Sequence, residues 1–256
     1  MNRTIKQLIY GSLYLVILGL LGWGIYGLVK PTASCFDQKL NQDEEEVDCG
    51  GASCIVCAIL HLKPIEVKPL ILFPVGDQMT TLLEFRNANA TYGASSFAYT
   101  VTLYDAQGTI LASRRNTSFI YPTEIKYLFG SGYGVDSQKV AKGVVMIEPE
   151  TMEWKPLNEF SLPRVIRRSI VVEKDPIKND AIIRGTLVND NSFLIPRATI
   201  VGIASDAFGL PLGASQTVIQ NVAPQEEAAF RIVIPDAGRE ELLPDDVELY
   251  VEVFRN

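Results

Sequence analysis

Leu8 to Val29 is a run of 22 residues without a charge, and it constrains this chain more than any other feature. At about 1.5 Å of rise per residue, a helix of that length spans roughly 33 Å, enough to cross a hydrocarbon core. A helix buried in a soluble core is seldom apolar on every side. The run therefore predicts a transmembrane helix in contact with the lipid bilayer. Tyr10, Tyr14, Trp23 and Tyr26 lie towards its two ends, where amphipathic rings favour the membrane–water interface. Arg3 and Lys6 precede the run, and the first long stretch after it is acidic. The cytoplasmic bias of Lys and Arg then places the N-terminus inside and everything after Lys30 outside. The expected location is the cell membrane, single-pass, with the C-terminal domains extracytoplasmic.

A cleaved signal peptide is the rival reading. Its apolar region would be about 7–15 residues long and would end in a small-residue site. This run is longer, and Pro31-Thr32-Ala33-Ser34 is a poor cleavage site. Lipidation of Cys35 after cleavage would leave one of the four cysteines without a mate. No two of the five glycines in the run are spaced four apart, so a GxxxG dimerisation face is not indicated.

The charge is unevenly placed. Residues 1–30 hold three of the 23 basic residues and no acid, which leaves 20 against all 30 acidic ones. No cluster of Lys and Arg with interleaved aromatics occurs, so nucleic acid is excluded as a partner. The balance suits a soluble, self-repelling ectodomain. The 256 residues suffice for two ordinary domains beside the membrane segment.

All four cysteines, Cys35, Cys49, Cys54 and Cys57, fall within 23 residues. On the oxidising side of a membrane they read as two disulfides, in any of three pairings. The segment is too short to build a core, so crosslinks are its source of rigidity. Gly50-Gly51 supplies the backbone freedom a tight knot needs. Zinc is the alternative, from Cys54-x-x-Cys57 with His61 nearby, but it requires thiolates. Asp37, Asn41, Asp43, Glu44 and Asp48 are candidate hard oxygen ligands for calcium; the alternative is a solvated acidic loop.

The pattern Cys35-x-Asp37, Asn41, Glu44, Asp48-Cys49-Gly50-Gly51 and Cys54-x-x-Cys57 resembles a short cysteine motif of bacterial surface proteins. It looks especially like one in uncharacterised membrane-anchored envelope proteins of candidate bacterial lineages. Gln38 stands where that motif commonly has glycine. The resemblance covers about 23 residues and implies no activity.

From His61 onward the sequence changes to short alternating strands. The first set is Glu66–Phe73, Thr81–Asn87, Phe97–Tyr104, Thr109–Asn116, Glu124–Phe129 and Gly143–Ile147. The second is Val165–Glu173, Ala181–Asn189, Ala198–Ser205, Gly213–Asn221, Ala228–Ile234 and Val247–Phe254. Turn signals between them argue for β-sandwiches. The two sets repeat one plan. A strand ends at Asn87 or Asn189, a second runs into Asp105-x-x-Gly108 or Asp206-x-x-Gly209, and a third leads to Pro122/Glu124 or Pro224/Glu226. A repeat of about 100 residues is a domain duplication rather than a solenoid, whose units are 20–45 residues. Ala98-Tyr99-Thr100-Val101-Thr102-Leu103-Tyr104-Asp105 resembles the FxLYD family of extracytoplasmic β-sandwiches and the related late-embryogenesis-abundant domain. The second copy lacks the Leu-Tyr pair.

The expected fold is an all-β ectodomain of two tandem Ig-like, FxLYD-like sandwiches after one transmembrane helix and a disulfide-rich segment. The divisions are 1–30 (cytoplasmic tip and helix), 31–60 (cysteine-rich spacer), 61–160 and 161–256 (sandwiches). No nucleophile, Walker or H-E-x-x-H pattern is present. Glu148, Glu150 and Glu153 read as a solvated strand end, and Gly130–Gly134 as a flexible turn. Asn89 and Asn116 head glycosylation sequons. Aromatic residues concentrate in the first sandwich, and any surplus on one face would suit a protein or glycan partner. The function expected is a non-enzymatic, membrane-anchored interaction or structural protein of the envelope. The alternative is a glycan-binding module, with calcium as its possible ion.

Overall fold

The computed structural model describes residues 3–29, 34–41, 43–175, 177–237 and 246–254. Lys30 and Pro31-Thr32-Ala33, the expected helix end and the cleavage-like junction, lie outside them. Contacts divide the chain into two units, Met1–His61 and Leu62–Asn256.

In the first unit, α1 (Arg3–Val29) is one continuous helix. Ile5–Gly27 is long and apolar enough to cross a membrane, and none of it is buried against the described residues. Further on, α2 (Cys57–Leu60) is a single turn. Cys35 is bonded to Cys54 and Cys49 to Cys57, which resolves the pairing.

The second unit is built of antiparallel strands. They are β1 (Glu66–Val67), β2 (Ile71–Val75), β3 (Gln78–Arg86), β4 (Tyr92–Tyr104), β5 (Ile110–Ile120), β6 (Ile125–Gly130) and β7 (Lys142–Pro156). The second set is β8 (Val165–Lys174), β9 (Ala181–Asn189), β10 (Ile195–Ser205), β11 (Pro211–Val222), β12 (Glu227–Ile234) and β13 (Val247–Val253). In the first sandwich, β1 and β2 pair in succession with one side of β3 and β6 pairs with the other; the facing sheet runs β5-β4-β7. The second sandwich repeats this as β8-β9-β12 against β11-β10-β13. β7 is three times as long as expected, because β4 begins at Tyr92 and bulges at Ser96 let the pair continue to Pro156.

Alternation fills each core. Leu83, Phe85, Phe97, Val101 and Leu103 point inward in the first sandwich. Ile183, Leu187, Ile200 and Ile232 do so in the second. The duplicated motifs now have mechanical roles. Asn87 donates through Nδ2 to the carbonyls of Tyr92 and Tyr121, and its Oδ1 accepts from Asn89. Asn189 donates to Phe193, Val222 and Ala223 and accepts from Asn191. Asn89 and Asn191 then exchange bonds with the backbones of Lys63 and Arg164, the residues entering each sandwich. One Asn-x-Asn pair therefore ties three chain segments together in each copy. Asp105 accepts from the amides of Gln107 and Thr109, and Asp206 from Phe208 and Leu210. Glu124 and Glu226 close equivalent turns on the amides of Tyr121 and Ala223.

The two sandwiches stack through their sheet faces. Leu82 and Phe73, on the outer face of β3 and β2, join Val201, Ile203 and Ala214, on the outer face of β10 and β11, in one buried cluster. Four sheets result in the order β5-β4-β7, β1/β2-β3-β6, β11-β10-β13, β8-β9-β12. The two outermost faces are closed by charge. Arg115 makes a bidentate pair with Glu148 on one, and Arg168–Glu227 and Arg184–Glu173 lie across the other.

Replacing Asn189 with Ala removes the bonds it donates to the carbonyls of Phe193, Val222 and Ala223 and the one it accepts from Asn191. Each such bond contributes roughly 0.5–1.5 kcal/mol, so a loss of about 3 kcal/mol is expected in urea unfolding, with an unchanged slope. Asn189→Asp should fail to restore it, because a carboxylate cannot donate.

Candidate functional site

All five residues expected to supply oxygen ligands lie in the stapled loop, but among the described residues no three of its four candidate acids bring carboxylate oxygens within 4.8 Å of one another. The Asp48 carboxylate accepts from the amides of Asp37 and Gln38 at 2.9 and 3.0 Å. Glu44 accepts from the amide of Asn41, and Asp43 from that of Ala52. Asn41 Nδ2 meets both oxygens of Asp37, at 3.2 and 3.0 Å, and the carbonyl of Lys39 at 3.1 Å. Asn41 Oδ1 is buried without a hydrogen-bond partner among the described residues. As they stand, the acids hold the loop's own N–H groups. Turning the Asn41 amide would aim Oδ1 at Asp37 and Lys39, an arrangement favourable only around a cation.

Gly50 and Gly51 are required by the same loop. Both have positive φ, and a Cβ on Gly51 would lie 2.1 Å from the Asp43 carbonyl oxygen. Gln38, where the resembling motif commonly has glycine, takes φ 59°. The left-handed conformation is kept, at the steric cost a side chain brings there. The cysteine sulfurs are joined to one another, so the ligand-like spacing of Cys54 and Cys57 serves two different crosslinks.

The second concentration of chemistry lies at the junction of the sandwiches. Lys126 sits on the inner face of β6, with its side chain 2% exposed. Its ammonium lies 3.2 Å from the centre of the Phe119 ring, donates to the Phe119 carbonyl at 2.8 Å, and pairs with Glu252 of β13 at 3.3 Å. Burial holds its pKa below the usual lysine range, opposed by Glu252 and Glu124. Burial likewise pushes the Glu124 carboxyl up, opposed by Lys126. The corresponding position in the second sandwich is Ala228, so the lysine belongs to the junction and not to the shared plan. Around it, Tyr121 donates to the Val253 carbonyl at 2.9 Å, and Phe119 packs edge-on against Phe254. Arg167 donates to the carbonyl of Leu249, and a groove of about 310 Å³ lies alongside.

Tyr127 and Tyr250 meet across the same interface with ring centres 4.1 Å apart. Tyr127 donates to Glu84 and Tyr250 to Glu248. Burial, followed by these carboxylates, pushes the Tyr127 phenol up to about 12 and raises that of Tyr250 further.

The remaining sequence candidates find structural roles. His61 lies 3.3 Å from Glu46 at an exposed position. Glu148 sits in mid-strand, where Arg115 lowers its pKa. The glycine turn is pinned: Arg114 donates to Ser131 and Gly132 and lies over the Tyr133 ring. Asn89 is buried with its amide engaged, so its sequon belongs to the fold. Phe97, Tyr99, Phe119 and Tyr121 are buried, and Tyr127 and Phe129 pack in the interface cluster. Most aromatic residues of the first sandwich thus fill its core and junction, while Tyr92 and Tyr104 stay half-buried. Sequence reading missed the junction. Its signal was the unbroken apolar run Ile200-Val201-Gly202-Ile203-Ala204, which marks a strand covered on both faces rather than one.

No family model matches the chain, and no curated protein does. Among solved structures it is similar to red sea bream transglutaminase, at 10% identity and a TM-score of 0.24, over 78% of this chain and 32% of that one. The chain spans about a third of that protein's length, and a likeness this slight carries no argument.

A phenol whose pKa is higher in the folded state stabilises that state below its unfolded value, 10.0, and loses the contribution as pH rises through the folded one. Between pH 10 and about 12, stability should therefore fall as Tyr127 ionises. Ultraviolet titration should show a late phenolate phase that Tyr127→Phe and Tyr250→Phe reduce. A single phase unchanged by either substitution would count against the buried pair.

Proposed function

We propose that the chain is a membrane-anchored, extracytoplasmic structural or interaction protein of a bacterial cell envelope, and not an enzyme. The helix is the observation that carries this reading. Leu8, Leu15 and Trp23 are 72%, 72% and 75% exposed, so its apolar surface faces outward all round and calls for lipid. In this reading Arg3 and Lys6 stay on the cytoplasmic side, the cysteine-bonded loop is a stiff spacer in an oxidising compartment, and the stacked sandwiches present surface to an envelope protein or glycan. Disulfides are rare in reducing compartments, which supports the orientation. The resemblances to the bacterial cysteine motif and to FxLYD domains support it too. The reading as a non-enzyme rests on the structural role found for each buried ionisable group at the junction. Lys126 and Glu124 each satisfy backbone groups, and Glu252 neutralises the lysine.

Protease added to intact cells expressing the chain should remove the β-sheet unit and leave a fragment containing the helix. Protection in intact cells, with digestion only after lysis, would reverse the orientation and overturn the reading.

A further inference from the structure

Lys126 is the one buried lysine among the described residues. Its side chain is 2% exposed, and the face of the Phe119 ring covers its nitrogen at 3.2 Å. That nitrogen pairs with Glu252 at 3.3 Å. In every other ion pair among the described residues the basic side chain is more than half exposed. Glu252 lies opposite Thr199 of β10, so it projects from the outer face of the second sandwich, as Val201 does. An amine from one sandwich therefore meets a carboxyl from the other. A second carboxyl, Glu124, stands two residues from Lys126 and lines the same groove as both.

A salt bridge is an unfavourable end state for such a pair. The penalty for taking two charges out of water can exceed their attraction unless every remaining proton and lone pair is bonded. The ammonium has three N–H groups to place, and its oxygen acceptors are the Phe119 carbonyl, at 2.8 Å, and Glu252. An amide at the same position would carry one N–H and no charge, and the acceptor for that N–H is already in place at Phe119. Burial favours the neutral amine at Lys126 and the acid form of Glu124.

We propose that Lys126 and Glu252 condense into an amide that joins the two sandwiches covalently. Transfer of one proton from the ammonium to the Glu252 carboxylate leaves a neutral amine facing a neutral acid. The nitrogen lone pair attacks Cδ of Glu252, and the C=O π bond opens to give a tetrahedral adduct. Glu124 gives its proton to the departing hydroxyl and takes one from the nitrogen. The C–OH bond breaks, the C=O re-forms, and water leaves through the groove of about 310 Å³. No oxidant, nucleotide or second substrate is consumed. Groups held in contact react as if present at about 10⁵–10⁸ M, which favours condensation over hydrolysis in a site that sheds its water. The chain acts on itself once, so the step adds a crosslink and no activity on another molecule.

The test is mass spectrometry of the full chain, purified in detergent micelles with its disulfides reduced. The expected mass is one water below that of the sequence. Trypsin, which does not cut after an acylated lysine, should leave the bond between Lys126 and Tyr127 intact and release a branched peptide containing Lys126 and Glu252. Lys126→Arg keeps the positive charge but offers no amine, and should give the full mass and no branch. If that variant fails to fold, Glu252→Ala, at a quarter-exposed position, should abolish the branch equally. Glu124→Gln can still accept from the Tyr121 amide but holds no acidic proton, so the branch should form about a hundredfold more slowly. A wild-type chain of full mass, cut normally after Lys126, overturns the proposal. A water loss that persists in Lys126→Arg and Glu252→Ala also overturns it, by placing the dehydration elsewhere. A branch that forms at the same rate in Glu124→Gln overturns the proton transfer assigned to that residue.

Discussion

The outer face of β10 carries apolar Val201 and Ile203 behind its apolar inner face, and most of the molecule's organisation follows from covering both. Ile200 and Ala204 point into the second sandwich, while Val201 and Ile203, between them in sequence, point the other way. Fully burying a side chain of this size contributes about 1.5–3 kcal/mol. Left in water, Val201 and Ile203 would form a patch prone to association. Leu82, Phe73 and Tyr127 of the first sandwich cover it. Two domains that could have hung like beads are thereby stacked into one body. Lys126, reaching from one sandwich to Glu252 of the other, fixes their alignment. Removing either partner would leave a desolvated charge, which makes the junction specific as well as adhesive.

A contact between unlike faces could continue indefinitely if the exposed ends resembled the buried middle. Here they do not. The free face of β5-β4-β7 carries the Arg115–Glu148 pair, and that of β8-β9-β12 carries Arg168, Arg184 and their glutamates. Ion pairs at such positions contribute little stability. Their effect is to make further stacking unfavourable, because it would desolvate charge.

The all-β class, nearly every strand and the duplication could be read in the sequence, because alternation and turn chemistry are local. Asn87 and Asn189, Asp105 and Asp206, and Glu124 and Glu226 marked equivalent positions before their bonds were known. Their partners Asn89 and Asn191 were less visible, since an Asn-x-Asn pair resembles any polar turn. β7 was read short because bulges and Pro149 interrupt its alternation. The cysteine pairing could not be read at all, because three connectivities satisfy the same spacing. The stacking was written in the apolar run of β10, but such a run is also what one thick core would produce. The fit between distant surfaces is set by side chains far apart in sequence.

The rigid pairing of the sandwiches is most directly tested by differential scanning calorimetry of the full chain in detergent micelles. A shared interface predicts that the β-sheet unit unfolds in one transition, with calorimetric and van't Hoff enthalpies in agreement. Two resolved transitions, each with the enthalpy of one sandwich, would show that the domains unfold independently and would contradict the account.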